Sequence, residues 1–278
     1  MTKTDIIILG AQKCATTSLF DVMTRAPRIV GASPKEPHYF STCEDWRDGL
    51  DDYHRIYAAQ ANALRLEAST TYTFFPHRKR GLWHDLHAYN PALRLIYVVR
   101  KPVDRIMSHY KHVVRRGYFS GTLEKFALNK PQALSISRYY TQIRPFIERF
   151  GREQVLLLQY EDVISGRANR KVAEFVGLDP DALGSEPALS NESGAVRHRR
   201  FSEDRPAWKL LSAASPKTAE RISRRLTRSP PASPDLSPEL QGAINHMLEP
   251  DIRAFEKLSG FDLGHWRCVT MPQAARTG

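Results

Sequence analysis

The sequence predicts an α/β fold in which helices flank a central, mostly parallel sheet. Three observations predict it. Short β-rich apolar runs alternate with stretches whose apolar residues recur at helical spacing, the order that builds parallel sheets through right-handed crossovers. One such run, Ile6 to Leu9, passes through Gly10 and a short polar loop directly into a helical pattern. Another, "LRLIYVVR" over residues 93–100, ends in an arginine, with a proline two residues on at a helix first turn.

Taken in order, residues 5–9 read as a buried strand. Leu19, Phe20, Val22 and Met23 then give a helical apolar face over Thr17 to Arg25, closed by Pro27. Ile29 to Gly31 is a short strand candidate, and the loop "SPKEPHYFS" follows it. Tyr53 to Ala63 is expected to be helical, "LRLEAS" from Leu64 to be a strand, and His84 to Tyr89 a short helix ended by Asn90-Pro91. After the strand ending at Arg100, Val103, Met107, Tyr110 and Val114 mark one face of a helix whose N-terminus carries Pro102 and Asp104. A helix over Ser135 to Phe150 stops at Gly151, a strand starts near Gln154, and a helix over 165–176 ends at Gly177. Residues 184–206 read as a long loop and "SPPASPDLSP" as a second breaker, before a last helix, Glu239 to Leu258, expected to pack back on the sheet. With no repeat and no clear linker, residues 1–278 are expected to form a single domain.

Bulk properties narrow the class. The chain has 278 residues, 41% hydrophobic and 26% charged, ordinary for a globular protein. Its three cysteines, Cys14, Cys43 and Cys268, are few, odd in number and far apart, which argues against a disulfide framework and for a reducing compartment. No run approaches a membrane span, and the N-terminal apolar run is too short for a signal peptide, so the expected location is the cytoplasm. The net charge is +11, and ten Lys/Arg against three Asp/Glu fall between Arg197 and Arg228. Such a surface suits a nucleic acid, an anionic nucleotide or an acidic substrate; a solvated basic face reads the same way.

"IIILGAQKCATTSLFDVM", residues 6–23, is an altered phosphate loop. Against the pattern G-x-x-x-x-G-K-[ST] counted from Gly10, Ala15 stands at the second glycine and Thr16 at the lysine, while a lysine stands three residues earlier as Lys13. Backbone N–H groups at the mouth of such a helix still make an anion site, and Thr16, Thr17 and Ser18 add hydroxyls. The missing loop lysine, and the absence of an apolar strand ending in a metal-binding aspartate, count against a P-loop nucleotide kinase. The ligand is expected to be an anion that needs no magnesium clamp, with Lys13 at its reactive end, and no metal is expected. A basic nucleic-acid-binding protein is the other rival, but no nucleic-acid-reading motif supports it.

"GAQKCATTSL", then "KEPHYF", "EASTTY" and "YVVRKPVDRIMSHY", in this order and at these separations, resemble the sulfotransferases that use 3′-phosphoadenylyl sulfate (PAPS), nearest the branch of heparan sulfate and other carbohydrate sulfotransferases and many bacterial members. The resemblance runs from about Ile6 to Glu161 and is weaker beyond. It implies a P-loop-like three-layer fold, PAPS as co-substrate, and a carbohydrate or glycosylated small molecule as acceptor, with no nucleic acid as partner. It further implies that Lys13, Cys14, Ala15, Thr16, Thr17 and Ser18 hold the 5′-phosphosulfate, with Lys13 beside the bridging oxygen, and that Arg100 and Ser108 grip the 3′-phosphate.

An in-line transfer to a hydroxyl needs a base. "KEPHYF" offers Glu36 and His38; the resemblance favours Glu36, while ion pairing with Lys35 is the plain structural alternative. Arg197, Arg199 and Arg200 are all candidates to cover the 3′-phosphate, with Arg199 the central one. "EAST" departs from the family by placing Ala68 where relatives often carry lysine, which weakens any transfer of acceptor chemistry. Glu67 is left either touching the acceptor or supporting the site.

Overall fold

The computed structural model describes residues 3–187 and 236–267. Five parallel strands form one sheet in the order β2-β3-β1-β4-β5: β1 Ile6–Gly10, β2 Ile29–Gly31, β3 Leu64–Glu67, β4 Arg94–Val99 and β5 Val155–Gln159. The helices are α1 Thr16–Met23, α2 Tyr39–Thr42, α3 Leu50–His54, α4 Leu82–Tyr89, α5 Pro102–Arg115, α6 Leu123–Asn129, α7 Pro131–Ser135, α8 Tyr139–Phe150, α9 Tyr160–Ile164, α10 Asn169–Phe175 and α11 Pro238–Ser259.

The central strands explain their composition. All of β1 is buried, and β4 is buried from Leu95 to Val99. Strands covered on both faces need unbroken apolar runs rather than alternation. The β1–β4 register shifts between Ile8 and Gly10, so the sheet is already irregular where the first loop leaves it. Strand order reverses about β1, with β2 and β3 on one side and β4 and β5 on the other. In open α/β sheets, the crevice beyond the carboxyl ends at such a point is where ligands bind.

Three expectations need correction. Only Leu50–His54 is helical where Tyr53 to Ala63 was expected to be. Beyond it, Arg55, Ile56 and Tyr57 donate to carbonyls three residues back, at Asp52, Tyr53 and His54, and Asn62 adopts a left-handed φ of 56°. The helix expected over Ser135 to Phe150 is two helices, α7 and α8. Between them Ser137 is fully buried and accepts 2.6 Å from the Nε of buried Arg105. The last helix packs chiefly on α8 and α5. Its Asp251 caps α8, accepting from the N–H of Tyr140 and Thr141 at 3.0 and 2.9 Å and from the Thr141 hydroxyl at 2.7 Å. The breaker segments over 188–235, with Arg197, Arg199 and Arg200, lie outside the described residues.

Candidate active site

The site assembles from loops at the carboxyl ends of the strands. After β1, Gly10 has φ 143°, and a Cβ there would stand 2.6 Å from Thr73 Oγ1. Only glycine fits that close approach. Ala11 N–H donates to the Val98 carbonyl at 2.8 Å, tying the loop to β4. Lys13 and Ala15 are both left-handed, with φ 70° and 62°, and Ala15 caps α1 without a side-chain bond. The first intrahelical bond runs from Leu19 N–H to the Ala15 carbonyl. The first-turn N–H groups of Thr16 and Thr17 have no intrahelical acceptor, and the helix dipole adds partial positive charge there.

The loop side chains divide by direction. Thr16 and Ser18 are buried, whereas Thr17 is exposed and accepts 2.8 Å from Lys35 Nζ. Cys14 is fully buried beneath the loop, and burial pushes its thiol up to about 12, so it is an inert thiol and not a nucleophile. Lys13 is half-buried and forms no ion pair among the described residues. Burial, then the positive charges of Arg100 and Arg115, lower its pKa.

The loop after β2 brings Glu36 and His38 to the same end. Glu36 Oε1 pairs with Lys35 Nζ at 3.1 Å, and its Oε2 accepts from Thr70 Oγ1 at 3.1 Å. His38 Nε2 stands 3.7 Å from that Oε2, and its Nδ1 lies 2.9 Å from Thr71 Oγ1. Burial lowers the His38 pKa, against the opposing pull of Glu36, so the imidazole is mostly neutral at neutral pH. Its backbone is left-handed, φ 55°. Three of the four left-handed non-glycine residues described, Lys13, Ala15 and His38, therefore belong to the site, which is where strained backbone tends to collect. The segment after β3 pins this loop: Ala68 N–H donates to the Lys35 carbonyl at 3.1 Å and His38 N–H to Ser69 Oγ at 3.0 Å.

Arg100 leaves β4 with its guanidinium 4.1 Å from the centre of the Tyr160 ring at the end of β5. Its carbonyl accepts from Tyr139 at 2.7 Å, and it has no carboxylate partner among the described residues. Ser108 is half-buried on α5.

Sequence reasoning missed two contributors. Lys35 bridges Thr17 and Glu36, linking the anion loop to the carboxylate. His112 feels both Lys13 and Glu36, and burial with Lys13 pushes it down to about 4. Its signal was the helical spacing from Ser108. Glu67, by contrast, is fully buried, with its Oε2 accepting from Tyr53 at 2.9 Å; it supports the site from beneath.

Comparison with known proteins decides the family. The sulfotransferase domain model matches residues 3–227. The chain belongs to the sulfotransferase family. Carbohydrate sulfotransferase 15 of Rattus norvegicus is 25% identical over 276 aligned residues, covering 73% of this chain and 49% of the rat protein. Heparan sulfate glucosamine 3-O-sulfotransferase 6 of Homo sapiens is 24% identical over 212, covering 69% and 60%. This sulfotransferase chain thus spans about half the length of the curated relatives it matches. A crystal structure of a sulfotransferase from Alicyclobacillus acidocaldarius shares the fold with a TM-score of 0.68 at 22% identity, covering 96% of this chain and all of that one. Among the described residues no helix is long and apolar enough to cross a membrane.

Proposed function

We propose that this sulfotransferase moves the sulfuryl group of PAPS to an acceptor hydroxyl, giving PAP and a sulfate ester. One observation carries the reading. Lys13, just before the N-terminus of α1, and Arg100, whose positive charge lowers the Lys13 pKa, both lack a carboxylate ion-pair partner among the described residues. Paired cations at a helix N-terminus are the complement of a multiply charged anion. That donor set fits PAPS. Lys13, Cys14, Ala15, Thr16, Thr17 and Ser18 would hold the 5′-phosphosulfate, Cys14 and Ala15 through backbone only. Arg100 and Ser108 would hold the 3′-phosphate, and Arg197, Arg199 and Arg200 remain the candidates to cover it.

When bound, PAPS supplies an activated sulfuryl group. The chain does the rest by positioning and charge. Glu36 accepts the proton of the acceptor hydroxyl as that oxygen bonds to sulfur, and Lys13 offsets the negative charge left on the departing phosphate. His38, neutral and tied to Thr71, orients Glu36. The names of the rat and human relatives refer to carbohydrate and heparan sulfate, which supports a sugar or glycosylated small molecule as acceptor. The free thiols of Cys14 and Cys43 support a reducing, cytoplasmic setting.

The test uses Glu36→Gln, which keeps shape but cannot take a proton. Turnover is expected to fall by roughly 10²–10⁴-fold, the usual scale for a lost general base, with PAP affinity unchanged. Loss only in a parallel His38→Ala variant would give the role to His38. PAP is expected to raise the melting temperature without metal. Equal stabilisation by ATP–magnesium, with none by PAP, would overturn the sulfotransfer reading.

A further inference from the structure

A concavity of about 150 Å³ is walled by Phe74, His109, Val113, Tyr118, Phe119 and Phe126, with Lys130 and Gln132 completing its lining. Two of its walls continue chain segments of the site. Phe74 directly follows the turn Thr70–Thr73, whose Thr70 holds Glu36 and whose Thr73 packs on Gly10. His109 directly follows Ser108 on α5. The rings meet edge to face: His109 and Phe126 are 5.1 Å apart at 88°, and Phe119 and Phe126 are 5.5 Å apart at 65°. Lys130 lies over Phe119 at 5.6 Å, so the cation at the rim is already engaged by a ring.

Two features separate this pocket from ordinary core. Tyr118 is 75% exposed although it lines an aromatic wall, so part of that wall faces solvent. His109 is only 8% exposed, and its Nδ1, itself shielded from solvent, has no hydrogen-bond partner among the described residues, so the imidazole enters this wall as a ring rather than as part of a polar network. The imidazole is uncharged, because burial and the charges of Arg105, His112 and Lys13 push it down to about 3. An apolar cavity of about this volume holds one benzene ring in another protein.

We propose that this pocket receives a single aromatic ring of the acceptor, packed edge to face against His109, Phe119 and Phe126. The inference rests on the sulfotransfer reading and narrows it: the acceptor is an aryl-bearing molecule, such as an aryl glycoside, whose hydroxyl extends from the pocket toward Glu36. Edge-to-face walls favour a flat ring, which gains quadrupolar contacts that a saturated chain lacks.

The experiment compares phenyl β-D-glucopyranoside with methyl β-D-glucopyranoside, two probes that differ only in the ring. Binding to the full chain is followed by ligand-detected NMR, with and without PAP. The phenyl glycoside is expected to bind at least about tenfold more tightly, since burying one ring removes substantial apolar area from water. Val113→Phe, which fills the pocket, is expected to abolish that preference. Tyr118→Ala, at an exposed position and safe for folding, is expected to reduce it. Equal affinity of the two glycosides, or a phenyl preference untouched by both variants, would overturn the proposal. A separate PAP titration reports on the nucleotide site. PAP binding without a phenyl preference defeats the aryl pocket alone, whereas no PAP binding defeats the sulfotransfer reading while the glycoside arm still returns its own answer.

Discussion

Replacing Glu67 by glutamine should change how stability depends on pH. Glu67 ends β3 fully buried, and burial raises its pKa from 4.5 to about 7 against the opposing pull of the Tyr72 and Tyr53 hydroxyls. Tyr53 in turn meets Thr4 Oγ1 at 2.9 Å, and Tyr57 meets the same oxygen at 2.9 Å, while Glu67 Oε1 has no hydrogen-bond partner among the described residues. Between the two pKa values the folded chain holds a proton that the unfolded chain has released. Stability therefore falls as pH rises through that window and levels off above about pH 7. The interval is about two and a half pH units, and at about 1.36 kcal/mol per unit the loss is about 3 kcal/mol. Glu67→Gln keeps an acceptor for Tyr53 but has no proton to lose. Urea unfolding of both proteins from about pH 4 to about pH 8 gives the difference in stability, in which groups common to both cancel. The wild-type chain should lose about 3 kcal/mol relative to the variant across that range. A difference that stays flat, or that grows in favour of wild type as pH rises, would refute the argument.

Arg100→Ala should weaken PAP binding by roughly 10- to 150-fold, the equivalent of about 1.5–3 kcal/mol for a charge-assisted contact, measured by calorimetric titration. Unchanged affinity would remove Arg100 from the nucleotide site. Gly10→Ala forces a Cβ to 2.6 Å from Thr73 Oγ1 on a backbone at φ 143°, and a melting curve should show a loss of about 1–3 kcal/mol or more. Iodoacetamide at neutral pH should label Cys43 well before Cys14, because burial holds the Cys14 thiol near 12; mass spectrometry of the native chain showing early Cys14 labelling would contradict the buried placement.

What the sequence made legible was local. Gly10, Lys13 and the hydroxyls after it sit within one strand–loop–helix unit, and Arg100 within another, so their placement at the carboxyl ends followed from the strand reading alone. Glu36 came from a motif whose neighbours fix its loop. What stayed hidden depended on partners far along the chain. Arg105 is buried against Ser137, and that contact accompanies the break between α7 and α8, which the apolar spacing of Ser135 to Phe150 does not show. Asp251 caps a helix that starts more than a hundred residues earlier. Met107 and Val114, expected on the buried face of α5, are only half-buried, while Ile106, Arg105 and His109 lie deeper, because α5 is packed on more than one side. The orphaned Nδ1 of His109 is a property of surroundings that no spacing encodes.

The strand order separates two kinds of evolutionary freedom. β1, β3 and β4 lie side by side, so the segments that follow them are set apart by the fixed distance between neighbouring strands, about 4.8 Å. The crossovers that join these strands do not set that distance. Beyond the loop and first helical turn that follow each strand, a crossover can lengthen or shorten while the candidate anion site keeps its dimensions. The aromatic pocket is walled largely by one such crossover, the stretch between β4 and β5. If the pocket receives the acceptor as proposed, acceptor preference can drift with the part of that stretch from Val113 on, while Arg100 and Ser108, nearer β4, stay as they are. Grafting only that later part onto another chain of the same fold should carry acceptor preference with it and leave PAP affinity behind.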